Sequence, residues 1–182
     1  MGKIVAIISS PRKGANSETI VNAMADAAKG KGHDVKIFNV AELKDRRGCI
    51  ACMGCKKAGK CVLKDELTPI LEAIREADGV ILSTAVYFGQ STGQYRLLED
   101  RFFSFIDQTF TPNIAPDKKL SVVVTAGSAG ADELASQITG RMVSLFKFEP
   151  IGNVTMTGGN HPHVAEQNKE LLAKAAEIGS KF

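Results

Sequence analysis

The sequence predicts an α/β chain built on a parallel sheet of five strands, with helices covering both faces. Three observations carry that reading. Short apolar runs rich in β-branched residues alternate five times with segments of helical spacing. No repeat, linker or low-complexity tract interrupts the 182 residues, which is about one domain's length. Composition is that of an ordinary globular protein, 44% hydrophobic and 24% charged.

The first run, "KIVAIISS", is stopped by Ser-Ser-Pro and reads as a strand buried on both faces. "NSETIVNAMADAAK" spaces Ile20, Met24 and Ala27 as a helix, which Gly30 and Gly32 end. "DVKIFNV" alternates, as a strand near an edge does. "DELTPILEAIREA" predicts a helix from Asp65 with Pro69 tolerated in its opening turns. "DGVILSTAV" is a second buried strand, "STGQYRLLEDRFFSFID" a helix and "KKLSVVVTAG" a third buried strand. "ADELASQITGRMVSLF" predicts a helix, "EPIGNVTMTG" a strand and "HVAEQNKELLAKAAEIG" one closing amphipathic helix. The expectation is a single domain over residues 1–182, with a cysteine-rich loop at 44–64. No apolar run approaches a membrane span, and no basic n-region or long h-region opens the chain, so a cytoplasmic protein is expected.

In sheets of this kind ligands bind beyond the carboxyl ends of the strands, so the loops there matter most. After the first strand comes "SSPRKGANSE", with two hydroxyls, a guanidinium and a flexible glycine running into a helix. A helix N-terminus offers free N–H groups and partial positive charge, which suit a phosphate. The plainer alternative is a capped helix, with Asn16 or Ser17 as cap. "STAVYFGQSTGQ" offers an aromatic wall, or a plug over the sheet, and "TAGSAGAD" frees backbone amides or forms an ordinary turn. A phosphate cradle, an aromatic wall and a glycine-rich wall fit a mononucleotide with a planar ring.

These three loops resemble the flavin-binding loops of the flavodoxin-like NAD(P)H-dependent FMN reductase family, over nearly the whole chain. The resemblance implies a flavodoxin-like three-layer sandwich with strand order 2-1-3-4-5. It implies that Ser10, Arg12, Asn16, Ser17 and Thr19 hold the FMN phosphate. Val86, Tyr87, Phe88 and Gly89, with Gly127 and Ser128, would contact the ring. Ala85 stands where the family usually has proline, and Ser9 where it usually has glycine. Both are small and neither removes a proposed donor.

All four cysteines lie in "CIACMGCKKAGKC", as Cys49, Cys52, Cys55 and Cys61. A tetrahedral zinc site usually takes two separated pairs, and a disulfide pair leaves two thiols over and is reduced in the cytoplasm. A [4Fe–4S] cube wants four thiolates around one compact object, as in bacterial ferredoxins, although the last gap here is five residues and no proline follows. Seven basic residues (Lys44, Arg46, Arg47, Lys56, Lys57, Lys60, Lys64) against Asp45 give this segment +6, in a chain of net +3. Such charge would stabilise a reduced, anionic cluster and attract an acidic partner. The plainer reading is a solvated loop. The loop follows the second strand and so starts from the same carboxyl edge as the flavin loops.

The cysteine motif on such a chain resembles the iron–sulfur flavoproteins of anaerobic microbes. That resemblance implies a [4Fe–4S] cluster on the four cysteines, FMN, and electrons arriving from ferredoxin or another acidic electron-transfer protein for a small-molecule acceptor. It also implies a homodimer or homotetramer, with no nucleic-acid or membrane partner. No residue is expected to be catalytic in its own right, because FMN and cluster carry the chemistry. A plain NAD(P)H-dependent FMN or quinone reductase, its cysteines binding zinc or nothing, is the alternative enzyme. NAD(P)H would there be a substrate stacking on an exposed flavin. A passive FMN-binding electron carrier or redox sensor is the non-enzyme alternative. His161 and His163 are expected to be a cap or an exposed turn, and Asp100-Arg101 to serve structural pairing. Phe102, Phe103, Phe105 and Phe110 are divided between core and interface.

Overall fold

The computed structural model describes residues 1–182. Strand β1 (Lys3–Ile8) lies between β2 (Asp34–Asn39), at one edge, and β3 (Gly79–Tyr87). Beyond β3 comes β5 (Lys119–Thr125), and beyond it the short β6 (Glu149–Pro150) and β7 (Val154–Met156), which both pair with β5. These ladders are parallel, with Ile4 opposite Val35 and Leu82 opposite Val122. The expected 2-1-3-4-5 order therefore stands, its fifth strand in two pieces. β4 (Gln90–Ser91) adds a small antiparallel hairpin to the end of β3.

Successive strand residues point to opposite faces, and this alternation builds two cores. Val5, Ile7, Val80, Leu82, Val122 and Val124 face a core covered by helices α3 (Thr68–Glu76), α4 (Gly93–Arg101) and α5 (Ala131–Phe146). Ile4, Ala6, Ile8, Ile81 and Val123 face the other, covered by α1 (Asn16–Gly30) and α7 (Lys169–Gly179). With both faces covered, the strands read as near-continuous apolar runs rather than as alternating ones.

Four departures from the sequence reading have local causes. The last strand breaks at Gly152, whose φ is +130°, and the Asn153 side chain takes over as acceptor for the Val122 amide. α3 starts at Thr68, not Asp65, because the Asp65 carboxylate accepts from the Leu67 amide and ends the preceding turn. α4 ends at Arg101 and tightens into a 3-10 turn over Phe102–Phe105. The closing helix is two: α6 (Val164–Gln167) stops at Asn168, whose side chain caps α7 through the Leu171 amide at 3.0 Å. A further short helix, α2 (Gly54–Ala58), forms inside the cysteine loop. Phe102 and Phe105 join the core, whereas Phe110 is exposed.

α1 and α7 approach closely at Gly179. A Cβ there would stand 2.7 Å from Met24 Cα on α1. Gly179→Ala should therefore destabilise the fold by about 1–3 kcal/mol through overpacking, despite the ~1 kcal/mol that alanine gains in helix propensity. Chemical denaturation would show a lower midpoint at unchanged slope.

A ligand pocket and a cysteine cleft at the two ends of one helix

Four loops enclose a cavity of about 370 Å³ at the carboxyl ends of the strands, within the range of small-molecule sites. Ser10, Arg12 and Ala15 come from the loop after β1, Asn16 and Ser17 from the start of α1, and Ala85–Gly89 from the end of β3 and its hairpin tip. Thr125 ends β5 and Ala126–Ala129 follow it, and Gly159–Asn160 follow β7. Ser10, Arg12, Asn16, Ser17, Val86, Tyr87, Phe88, Gly89, Gly127 and Ser128 thus line one cavity. Thr19 does not; it stands further along α1, outside the lining. The 159–160 loop is an addition. Its signal was the Gly-Gly-Asn after the last strand, at the same edge as the other three loops.

The start of α1 is uncapped. Ala15 precedes it in extended conformation, and no side chain accepts from its first amides. Neither Asn16 nor Ser17 is the cap. The Asn16 side chain instead donates to the carbonyls of Gly159 (3.2 Å) and His161 (2.9 Å) and accepts from the Ala165 amide at 2.9 Å. It is spent on holding the β7 loop, so a ligand could receive only its main-chain N–H. Ser17 Oγ is buried without any partner. A buried hydroxyl left unpaired costs ~1–3 kcal/mol. This hydroxyl, the free amides of the first turn and the nearby Arg12 guanidinium form an anion cradle. Arg12 is steadied by donating to the Asn160 carbonyl at 2.7 Å.

Tyr87 and Phe88 are exposed at the pocket rim, Phe88 with φ +49° at the hairpin tip. The buried Thr92 ties this hairpin to the cradle. Its hydroxyl donates to the Ser9 carbonyl (2.7 Å) and caps α4 by accepting from the Tyr95 amide, while its amide donates to Thr84 Oγ1. Opposite, a Cβ at Gly127 would lie 2.8 Å from Asn160 Cγ, so a side chain there requires the exposed Asn160 side chain to move.

The four cysteines line a second cleft with Ile50, Met53, Val62 and Leu63, closed by Arg101, Phe103 and Ser104. Cys55 is buried, Cys61 half-buried, Cys49 and Cys52 exposed, and none is in a disulfide. The loop is shaped by left-handed residues at Ala51 (φ +53°), Met53 (φ +58°) and Gly59 (φ +70°). The Ala51 amide donates to Cys49 Sγ at 3.4 Å, and Arg101 Nε to Cys61 Sγ at 3.1 Å. Burial pushes the Cys55 thiol up; Lys56 opposes that, and the three other cysteines add to it. No three Cys, His, Asp or Glu side chains converge on one metal-ion position. The cleft encloses about 10 Å³, and two of its four thiols, Cys49 and Cys52, are exposed. The donor set, four thiols around one mostly apolar cleft, suits a thiophilic group.

Three cations fasten this loop to the scaffold. Arg101 donates to the Arg47 carbonyl (2.9 Å) and pairs with Asp65 at 2.8 Å, both side chains essentially inaccessible. Arg75 donates to the Gly59 carbonyl at 3.1 Å. Lys56 donates to the Phe103 and Ile106 carbonyls and sits 3.5 Å over the Phe103 ring. Lys60 pairs with Glu72, and Arg47 with Asp45. Of the seven basic residues, Lys44, Lys57 and Lys64 have no side-chain hydrogen bond or ion pair.

No residue lines both sites. Thr92, which holds the pocket's hairpin to the cradle, precedes α4, and Arg101, which lines the cysteine cleft, ends it, nine helical residues or roughly 13 Å further on. The cysteine loop does leave β2 at the carboxyl edge, but none of its thiols lines the pocket there. His163 pairs with Glu166 on the surface, and His161 contributes its carbonyl to Asn16.

Burial alone would raise the Asp65 carboxyl, but hydrogen bonds from Arg101 and from the Arg47 and Leu67 amides, with the guanidinium charge, hold it below its usual 3.8. The stability it contributes is therefore present above about pH 4 and is lost as pH falls through the depressed value. Asp65→Asn leaves a buried guanidinium uncompensated and should cost about 3–5 kcal/mol in denaturant titrations. A loss below 1 kcal/mol would show that the pair does not hold the loop.

Known proteins bear on both sites. The NADPH-dependent FMN reductase family matches residues 2–163. An iron–sulfur flavoprotein of Methanosarcina thermophila is 28% identical over 182 residues, covering 99% of this chain and 93% of that protein. One from Methanocaldococcus jannaschii is 30% identical over 152 residues, covering 82% and 75%. Another from that organism is 36% identical over 99 residues, but the match spans only 54% of this chain and 51% of that protein. An azoreductase of Bacillus anthracis shares the fold with TM-score 0.70 at 18% identity, over 100% of both chains. A parallel flavodoxin-like sheet, its carboxyl-edge pocket, its cysteine loop and these likenesses agree: the chain belongs to the NADPH-dependent FMN reductase family, as an iron–sulfur flavoprotein and a flavin-dependent oxidoreductase.

Proposed function

We propose that the carboxyl-edge pocket binds FMN and that Cys49, Cys52, Cys55 and Cys61 hold a [4Fe–4S] cluster. Electrons would come from ferredoxin or another acidic one-electron donor and leave to a small acceptor. The observation that carries the FMN part is the buried, unpartnered Ser17 hydroxyl at the uncapped start of α1, beside Arg12. It is a donor waiting for an anion. For the cluster, the support is four thiols on one cleft and the name borne by the relatives. When bound, FMN exchanges one or two electrons and a cluster exchanges one.

The chain's own residues bind and orient. Ser10, Ser17, Arg12 and the first amides of α1 neutralise the phosphate, and Val86–Gly89 with Gly127 and Ser128 flank the ring. Exposed Tyr87 and Phe88 leave one side of the pocket open to a small acceptor or to nicotinamide. Lys44, Lys57 and Lys64, the unpaired cations of the cysteine loop, would attract an acidic donor at low ionic strength. No helix is long and apolar enough to cross a membrane.

Ser17→Ala should weaken FMN binding about 10- to 100-fold, the range for a hydrogen bond to a charged group. The flavin-free protein should be no less stable, since an orphaned hydroxyl is removed. Unchanged affinity by flavin fluorescence quenching would remove Ser17 from the cradle.

The deciding measurement is iron, acid-labile sulfide, zinc and flavin per chain after oxygen-free purification. About four iron and four sulfide with one FMN is expected for a single cube. Zinc, or FMN without metal, would overturn the cluster. Rapid bleaching of the flavin by NAD(P)H alone would then make the protein a plain reductase.

A further inference from the structure

We propose that the corner where α4 passes into the 3-10 turn is a sulfur-directed donor site. There Arg101 and Ser104 hydrogen-bond to sulfur atoms of the iron–sulfur group and raise its reduction potential. The inference rests on the cluster reading of the cysteine cleft.

Two observations carry it. Arg101 already donates from Nε to Cys61 Sγ at 3.1 Å. Its orientation is set by two other segments, through Asp65 at 2.8 Å and the Arg47 carbonyl at 2.9 Å. Ser104 lies one turn on, 3% exposed, and lines the same cleft. Its hydroxyl has no hydrogen-bond partner anywhere in the protein. Buried hydroxyls nearly always find one, so each exception calls for an explanation. Three other buried hydroxyls are unpartnered: Ser17 faces the ligand pocket, and Ser9 and Ser83 line neither site. Ser104 is the one that lines the cysteine cleft. The nearby Phe103 carbonyl already accepts from Lys56, and Cys61 lines both small clefts that Ser104 borders, which makes sulfur the acceptor we assign to its hydroxyl.

The sign follows from charge. Reduction adds negative charge that spreads onto the sulfurs, and a fixed donor dipole in a poorly solvated site stabilises the more negative state. Arg101 is closely neutralised by Asp65, so it acts mainly through its N–H dipole rather than a free charge. That puts the two donors on a similar footing. The exposed lysines of the loop are a different case, because salt screens them. Buried donors should act alike at low and high ionic strength.

The test is the cluster's midpoint potential in wild type and in Ser104→Ala, both prepared without oxygen, with iron and sulfide measured first. Ser104→Ala breaks no side-chain hydrogen bond within the protein, so it should fold and hold the same iron and sulfide. Its potential should fall by a shift equal to about a threefold to tenfold change in the reduction equilibrium, tenfold being 59 mV for one electron. That shift should persist at high salt. Metal-free Ser104→Ala should melt no lower than metal-free wild type. Arg101→Lys, which keeps a cation opposite Asp65 but loses the Nε donor, should shift the potential the same way. Full iron and sulfide with an unchanged potential in Ser104→Ala, or a shift that vanishes in salt, would overturn the donor role. Wild type without iron and sulfide would instead overturn the cluster reading, and this assignment with it.

Discussion

A buried guanidinium is costly to desolvate, and Arg101 is tolerable only because almost every donor it carries is used. Asp65 takes its charge, the Arg47 carbonyl and Cys61 sulfur take further N–H groups, and Thr68 lies at the edge of reach. Buried pairs of this kind add little net stability against an apolar substitute, yet they punish any arrangement that separates the partners. Here the partners sit on α4, on the turn before α3 and on the cysteine loop. The loop is thereby held in one place against the helices that cover the sheet.

The same division of labour appears at the other end of α4. Thr92 caps the helix, closes the β3–β4 hairpin and reaches the Ser9 carbonyl, so one buried residue, through its amide and its hydroxyl, ties the aromatic rim to the cradle. α4 thus runs from the residue that steadies the pocket's hairpin to one that lines the cysteine cleft. Its position between α3 and α5 is fixed by Tyr95, Leu98 and the Phe102–Phe105 pair in the core. Changes in packing there would move both sites relative to the sheet.

Much of this was legible in the residues. Continuous β-branched runs announced strands buried on both faces, and the carboxyl-edge rule picked out the loops that form the pocket. The less legible parts depend on side chains doing the work of backbone. Asn153 replaces a strand carbonyl, Asn168 breaks a helix by capping the next one, and Asp65 delays α3. Each is an Asx residue whose type is compatible with a turn but does not require one. Asn16 shows the same ambiguity within the site: its composition suited a ligand, and its contacts proved to be with the 159–165 segment.

By itself the sequence determined the layer architecture, the edge where the pocket opens and the set of four thiols, because hydrophobic period and residue chemistry are local properties. Tertiary structure alone decided the rest. It spent Asn16 on the β7 loop, excluded Thr19, added Gly159 and Asn160, and brought Arg101 and Ser104 from forty-odd residues away to the cysteines. Which polar group is left free for a ligand depends on which partners have already been satisfied. That accounting closes only when distant segments meet.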